Sequence, residues 1–156
     1  NKLNCKNLNS YIGDVANFSY KNSPDIMITL HACDTATDYA LEYAIKNNTA
    51  AILSVPCCQH ELNRQLKCPQ LDMMLDYGII RERFASLATD SIRAQILELV
   101  GYEAQLLEFI DLENTPKNIL IRAYLTGKEA MPEKRAKYDA FVQFLNAEPF
   151  LQKELL

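Results

Sequence analysis

What this chain lacks narrows what it can do. No apolar run approaches the ~18 residues of a membrane-spanning helix, and the first residues show no basic, apolar and small-residue series of a secretory signal. The five cysteines are odd in number, follow no secretory spacing and include the adjacent pair Cys57-Cys58, so they read as reduced thiols. A cytoplasmic protein without membrane contact is the expectation. Glycine is scarce: Gly13, Gly78, Gly101 and Gly127 are the whole set, and no two stand close enough to form a Gly-x-Gly-x-Gly loop. Basic charge is not in excess either. With 16 Lys and Arg against 20 Asp and Glu, the net charge of −4 excludes a wholly basic surface that grips nucleic acid, while leaving a local basic patch open. There is no internal repeat, low-complexity tract or linker, so residues 1–156 read as one domain with a sizeable core.

What is present centres on two apolar runs, Ile26 to Leu30 and Ala50 to Val55, each breaking into a polar cluster. Runs without polar alternation suit strands covered on both faces, and the segment between them, with Ala40, Leu41, Ala44 and Ile45, has helical spacing. That predicts a βαβ unit. In an open α/β sheet the ligand crevice lies beyond the carboxyl ends of the strands, where His31, Cys33, Asp34, Cys57, Cys58 and His60 gather.

Along the chain, Leu8 to Ile12 reads as a short strand closed by Gly13-Asp14. Pro24 introduces the strand Asp25 to Leu30, and Thr35-Ala-Thr-Asp38 has the spacing of a capping box, placing a helix start near Ala36. Asn47-Asn48 ends that helix. Two short helices interrupted at Pro69 are expected between Gln59 and Tyr77. From Arg81, the series Phe84, Ala88, Ile92, Ile96, Leu99 and Val100 predicts the longest helix, stopped by Gly101. Strands at about Glu103 to Ile110 and Asn118 to Leu125 form an antiparallel hairpin. Pro132 opens a helix with Tyr138, Phe141, Val142 and Leu145 on one face, and Pro149 begins a last short turn.

The polar clusters admit several chemistries. His31 or Asp34 is a candidate base, against a bonded core histidine and a helix-capping aspartate. Cys57, Cys58 and His60 with Cys33 or His31 are possible zinc ligands, although adjacent cysteines in an extended turn point apart and no Cys-x-x-Cys knuckle is present. A thiol nucleophile with a histidine base is a second possibility, and a pocket wall or plain packing a third. Arg81, Arg83, Arg93, Lys117 and Arg122 are the candidates for a basic surface, dispersed among acids. Tyr39, Tyr43 and Tyr77 could stack on bases but more commonly pack.

The segments Leu30-His-Ala-Cys-Asp-Thr-Ala-Thr-Asp38 and Val55-Pro-Cys-Cys-Gln-His-Glu-Leu62, with Thr89-Asp-Ser-Ile-Arg93, Gly101-Tyr102 and Asn114-Thr-Pro-Lys-Asn-Ile-Leu-Ile-Arg122 after them, resemble the S-adenosylmethionine-dependent methyltransferase domain family. The resemblance implies a Rossmann-like three-layer α/β fold with strand order 3-2-1-4-5-7-6 and an antiparallel last strand. This chain supplies strands three to seven of it. Strands one and two and the glycine-rich cofactor loop have no counterpart, so the chain resembles the C-terminal portion of such a domain.

The resemblance further implies methyl transfer from S-adenosylmethionine to an unidentified acceptor, RNA among the candidates because relatives with a Cys-Cys-x-His segment include tRNA ribose methyltransferases. It gives Asp14 an adenine amino group and Val15 the adenine ring. His31, Cys33, Asp34 and His60 fall at the methyl-transfer centre, His31 also beside the sulfonium. Pro56, Cys57 and Cys58 form a substrate wall, and Arg93 and Lys117 are the places to look for phosphate contacts. No resident metal is expected. A non-catalytic α/β interaction or scaffold domain is the alternative, which an independent start codon at Asn1 would favour and an upstream strand ending in Gly-x-Gly would oppose. Without strands one and two, the strand Asp25 to Leu30 is expected to pair with Leu8 to Ile12 or with a second copy of the chain.

Overall fold

The structure is a computed structural model that describes residues 7–108 and 118–156. After a 3₁₀ turn at Val15–Asn17 come β1 (Ile26–Leu30), α1 (Thr35–Lys46) and β2 (Ala51–Val55), with β1 and β2 parallel from Ile26 against Ala51 to Leu30 against Val55. This is the expected βαβ unit. Asn47 caps α1 and Asn48 turns to a positive φ of 52°, which ends the helix where the Asn pair predicted. Then come α2 (His60–Gln65), a 3₁₀ turn opened by Pro69, α3 (Asp72–Leu75) and the 22-residue α4 (Gly78–Leu99). The strands β3 (Tyr102–Glu108) and β4 (Ile119–Leu125) and the helices α5 (Pro132–Leu145) and α6 (Phe150–Leu155) complete the described elements.

Among the described residues the sheet has four strands in the order β1-β2-β4-β3, with β4 antiparallel to both neighbours. It is therefore a mixed sheet in an α/β fold. The last strand is inserted beside β2, which leaves β3 at one edge and β1 at the other. Gly101 adopts φ +96° after α4, where a side chain is strained, and its carbonyl accepts from the Thr126 and Gly127 amides, tying the helix end to the end of β4. The core lies between α1, α2, α4 and α5 and one face of the sheet, around Leu41, Ile52, Leu66, Ile96, Leu97, Ile121 and Leu145.

Five expectations need correction. Residues Leu8 to Ile12 form no strand and are exposed, so among the described residues β1 pairs with β2 alone. Nothing local holds that segment extended; Tyr11 packs its ring on Phe18 and Tyr20 instead. The third layer is also missing among the described residues, because Ile26, Ile28 and Leu30 alternate outward and remain 57–66% exposed. The capping box does not form: Asp38 is drawn into an ion pair with Arg93, and the Thr37 hydroxyl donates to the Ala32 carbonyl. α4 starts at Gly78, three residues before Arg81, because an exposed turn needs no apolar periodicity. Phe141 is exposed while Tyr138, Val142 and Leu145 are buried. The loop expected at 111–117, with Lys117, lies outside the described residues.

Candidate functional site

The carboxyl ends of β1 and β2 lie side by side because their register is parallel and unshifted. Just past them the His31 amide donates to the Val55 carbonyl at 3.3 Å, and the Asp34 amide to the Cys58 carbonyl at 3.1 Å. Two segments distant in sequence are thus clamped on either side of Cys33. The clamp has a cost. His31 and Asp34 both hold positive φ, 56° and 53°, a conformation worth about 1–3 kcal/mol each for non-glycine residues.

The clamp brings three thiols together. Cys33 Sγ and Cys57 Sγ are 3.1 Å apart, and the sulfurs of Cys33, Cys57 and Cys58 all lie within 4.8 Å of one another. Adjacent cysteines therefore need not point apart in this turn, contrary to the expectation from spacing. Burial, and then hydrogen bonding to Cys33 and Cys58, push the Cys57 thiol up to about 12. Neither histidine contributes an atom to that cluster. His31 and His60 are both exposed, His31 at the end of β1 and His60 as the first residue of α2.

Asp34, a candidate base, has both carboxylate oxygens engaged: Oδ1 accepts from the Glu61 amide at 2.9 Å and Oδ2 from Arg64 at 3.1 Å. It joins the β1 and β2 ends to α2, and the side chain makes no cap for α1. Arg93, the expected phosphate contact, is not on a surface. Its side chain is 2% exposed; its guanidinium donates to Asp38 at 2.7 and 2.8 Å, to Asp90 at 3.1 Å and to the Asp34 carbonyl at 2.9 Å. Burial works against this charge, but the two carboxylates outweigh it and hold the guanidinium above its ordinary range. For Asp90 the balance runs the other way, burial raising its carboxyl despite Arg93 and Gln59.

Beyond the strand ends opens a cavity of about 520 Å³, lined by Pro56, Gln59, Arg83, Ser86, Asp90 and Asn118 among others. Pro56, one of the three expected wall residues, lines this cavity. Gln59, Ser86 and Asp90 form a chain that spacing did not reveal: the Gln59 amide donates to Asp90 at 3.1 Å and accepts from the Ser86 hydroxyl at 2.8 Å. The one available signal was the Thr89-Asp-Ser-Ile-Arg93 segment, whose Asp90 and Arg93 sit one helical turn apart. Cys57 and Cys58 are not among the lining residues of this cavity.

The remaining candidates are dispersed. Asp14 is exposed, and its Oδ1 accepts from the Ala16 amide at 3.0 Å, forming the turn Val15–Asn17. That turn packs toward α1 through Phe18 on Tyr43, rings 5.5 Å apart. Tyr39 packs its ring at a tilt against Phe150, centroids 4.6 Å apart. Arg81 donates to Asn63 and to the Leu66 carbonyl, and Arg122 to Gln105, so these two arginines are engaged within the molecule.

Residues 1–65 match a family model described as a methyltransferase domain, a span that holds both motifs and stops at the end of α2. The resemblance read from the motifs to a methyltransferase domain family is thereby shown. No curated protein and no solved structure matches the chain.

Proposed function

We propose that this chain is the C-terminal portion of an S-adenosylmethionine-dependent methyltransferase domain. The observation that carries the reading is the methyltransferase-domain match over residues 1–65, because it takes in both polar clusters at the strand ends. The sheet adds support: β1-β2-β4-β3, with β4 antiparallel, is the order four-five-seven-six that the resemblance implied. The edge of β1 that is unpaired among the described residues, with the exposed Ile26, Ile28 and Leu30, is where the remaining strands of such a domain belong.

Residues 1–156 by themselves do not fit the cofactor. They carry no paired glycines for a close backbone approach, although Asp14, which accepts from the Ala16 amide through Oδ1, keeps Oδ2 for an adenine amino group. What this chain supplies is the acceptor side. The cavity beyond the strand ends receives the acceptor, with the Gln59, Ser86 and Asp90 chain as its polar floor. His31, exposed at the end of β1, is the base candidate left once Asp34 is tied to Glu61 and Arg64, although neither His31 nor His60 is among the residues that line the cavity. Of the basic candidates, Arg81, Arg93 and Arg122 are bound within the molecule, which leaves the exposed Arg83 on the cavity as the described one open to an RNA phosphate.

The test uses the complete encoded polypeptide. It should bind S-adenosylmethionine, and Asp14→Ala should weaken that binding by about 1–3 kcal/mol, the cost of leaving a buried partner unbonded. An unchanged dissociation constant in the variant removes the adenine role. Absence of any binding in the complete polypeptide removes the enzyme reading and leaves the interaction-domain alternative.

A further inference from the structure

The acceptor cavity does not use the three thiols, and their arrangement calls for its own account. Cys33 comes from the end of β1, while Cys57 and Cys58 come from the end of β2, and the sulfurs lie within 4.8 Å of one another. Cys33 Sγ and Cys57 Sγ, 3.1 Å apart, are far beyond disulfide bonding distance, ~2.05 Å. The frame that holds them is made by other groups: the His31 and Asp34 amides on the Val55 and Cys58 carbonyls, and the Asp34 carboxylate on the Glu61 amide. A cluster held by its surroundings is preorganised, as ligands to a metal must be. Three sulfur donors from two loops, with Cys33 exposed and the other two half-buried, leave one side open to solvent.

We propose that Cys33, Cys57 and Cys58 form a binding site for a single zinc ion, with three thiolate ligands and a fourth position open toward solvent. Tetrahedral zinc at Zn–S ~2.3 Å sets its sulfurs about 3.8 Å apart, within the spread of this cluster. Soft thiolates select zinc over magnesium or calcium, which take oxygen. Binding replaces three S–H bonds by three S–Zn bonds and releases three protons to solvent. The open position takes water or an incoming thiol or imidazole. The site is independent of S-adenosylmethionine binding, so the two readings fail separately.

The test is metal uptake by the fully reduced, chelator-treated chain, measured by competition with a chromophoric chelator for Zn²⁺ and by absorption with Co²⁺ as a spectroscopic substitute. One equivalent should bind, with the thiolate charge-transfer and tetrahedral d–d bands of a sulfur-rich cobalt site. Cys33→Ser and Cys57→Ser should each weaken uptake by more than about tenfold, the least that even outer-shell changes cost. Cys68→Ala, which alters a buried thiol packed in the core, should leave it intact. Circular dichroism of each variant confirms that it folds, and the cobalt spectrum of the unsubstituted chain tests the site without any variant. No uptake by the folded, reduced chain overturns the proposal, as does uptake that persists in a Cys33→Ser/Cys57→Ser/Cys58→Ser variant or a cobalt spectrum without charge-transfer bands.

Discussion

Removing Arg93 leaves Asp38 and Asp90 facing each other's charge in the interior, because their side chains are only 5% and 3% exposed. Arg93→Ala should therefore lower stability by about 3–5 kcal/mol in urea unfolding, against less than about 1 kcal/mol for an exposed arginine. A loss below about 1 kcal/mol would return Arg93 to the surface role its sequence position suggested. Glu61 carries a pH signature. Burial, and then the charge of Asp38, raise its carboxyl although the Phe150 amide opposes this. The folded state then holds the proton more tightly than the unfolded chain, so Glu61 takes stability away as pH rises from about 4.3 through its higher folded value, and its contribution is constant above that. Glu61→Gln should flatten that descent; a variant with the parent's pH profile would show that Glu61 is not its source. At Cys57, a thiol pushed up to about 12 should alkylate much more slowly at pH 8 than an unstructured cysteine in the metal-free protein, as timed by mass spectrometry. These side chains were legible as residue types in the motifs. Their partners were not, since Arg93 with Asp38 and Gln59 with Asp90 join residues 55 and 31 positions apart.

At the scale of elements, β1, α1 and β2 were readable because an apolar run, a helical period and a second run admit few arrangements. The gathering of Cys33 and Cys57 follows from that unit and its unshifted register. The hairpin and the Gly101 stop were readable for similar local reasons. Gly101→Ala should cost about 1–2 kcal/mol in thermal or urea unfolding, since φ +96° is strained for alanine although the space around it is adequate. A neutral outcome would mean that the turn relaxes to negative φ. Leu8 to Ile12 misled because a short apolar stretch signals a strand only when a neighbouring strand offers hydrogen bonds. Among the described residues β1 is left with a free edge and three outward apolar side chains. Residues 1–156 should accordingly associate with rising concentration, and Ile28→Lys should suppress this in sedimentation velocity without loss of helix content. Association that is equally strong in the variant would place the contact elsewhere.

At the scale of the whole molecule, helices among the described residues pack on one face of a mixed sheet, and among those residues the other face of β1 is uncovered. No helix among the described residues is long and apolar enough to cross a membrane. The cavity lies beside the end of β2, the end of β3 and the start of β4, the thiol cluster at the ends of β1 and β2, and the glycine-rich loop of a methyltransferase has no residues here to form it. Without such a loop a cofactor would find few contacts, while the cost of ordering it would still be met in full. The most direct measurement is calorimetric titration of residues 1–156 with S-adenosylmethionine. The account predicts no binding at micromolar concentration; a micromolar dissociation constant for these residues alone would contradict it.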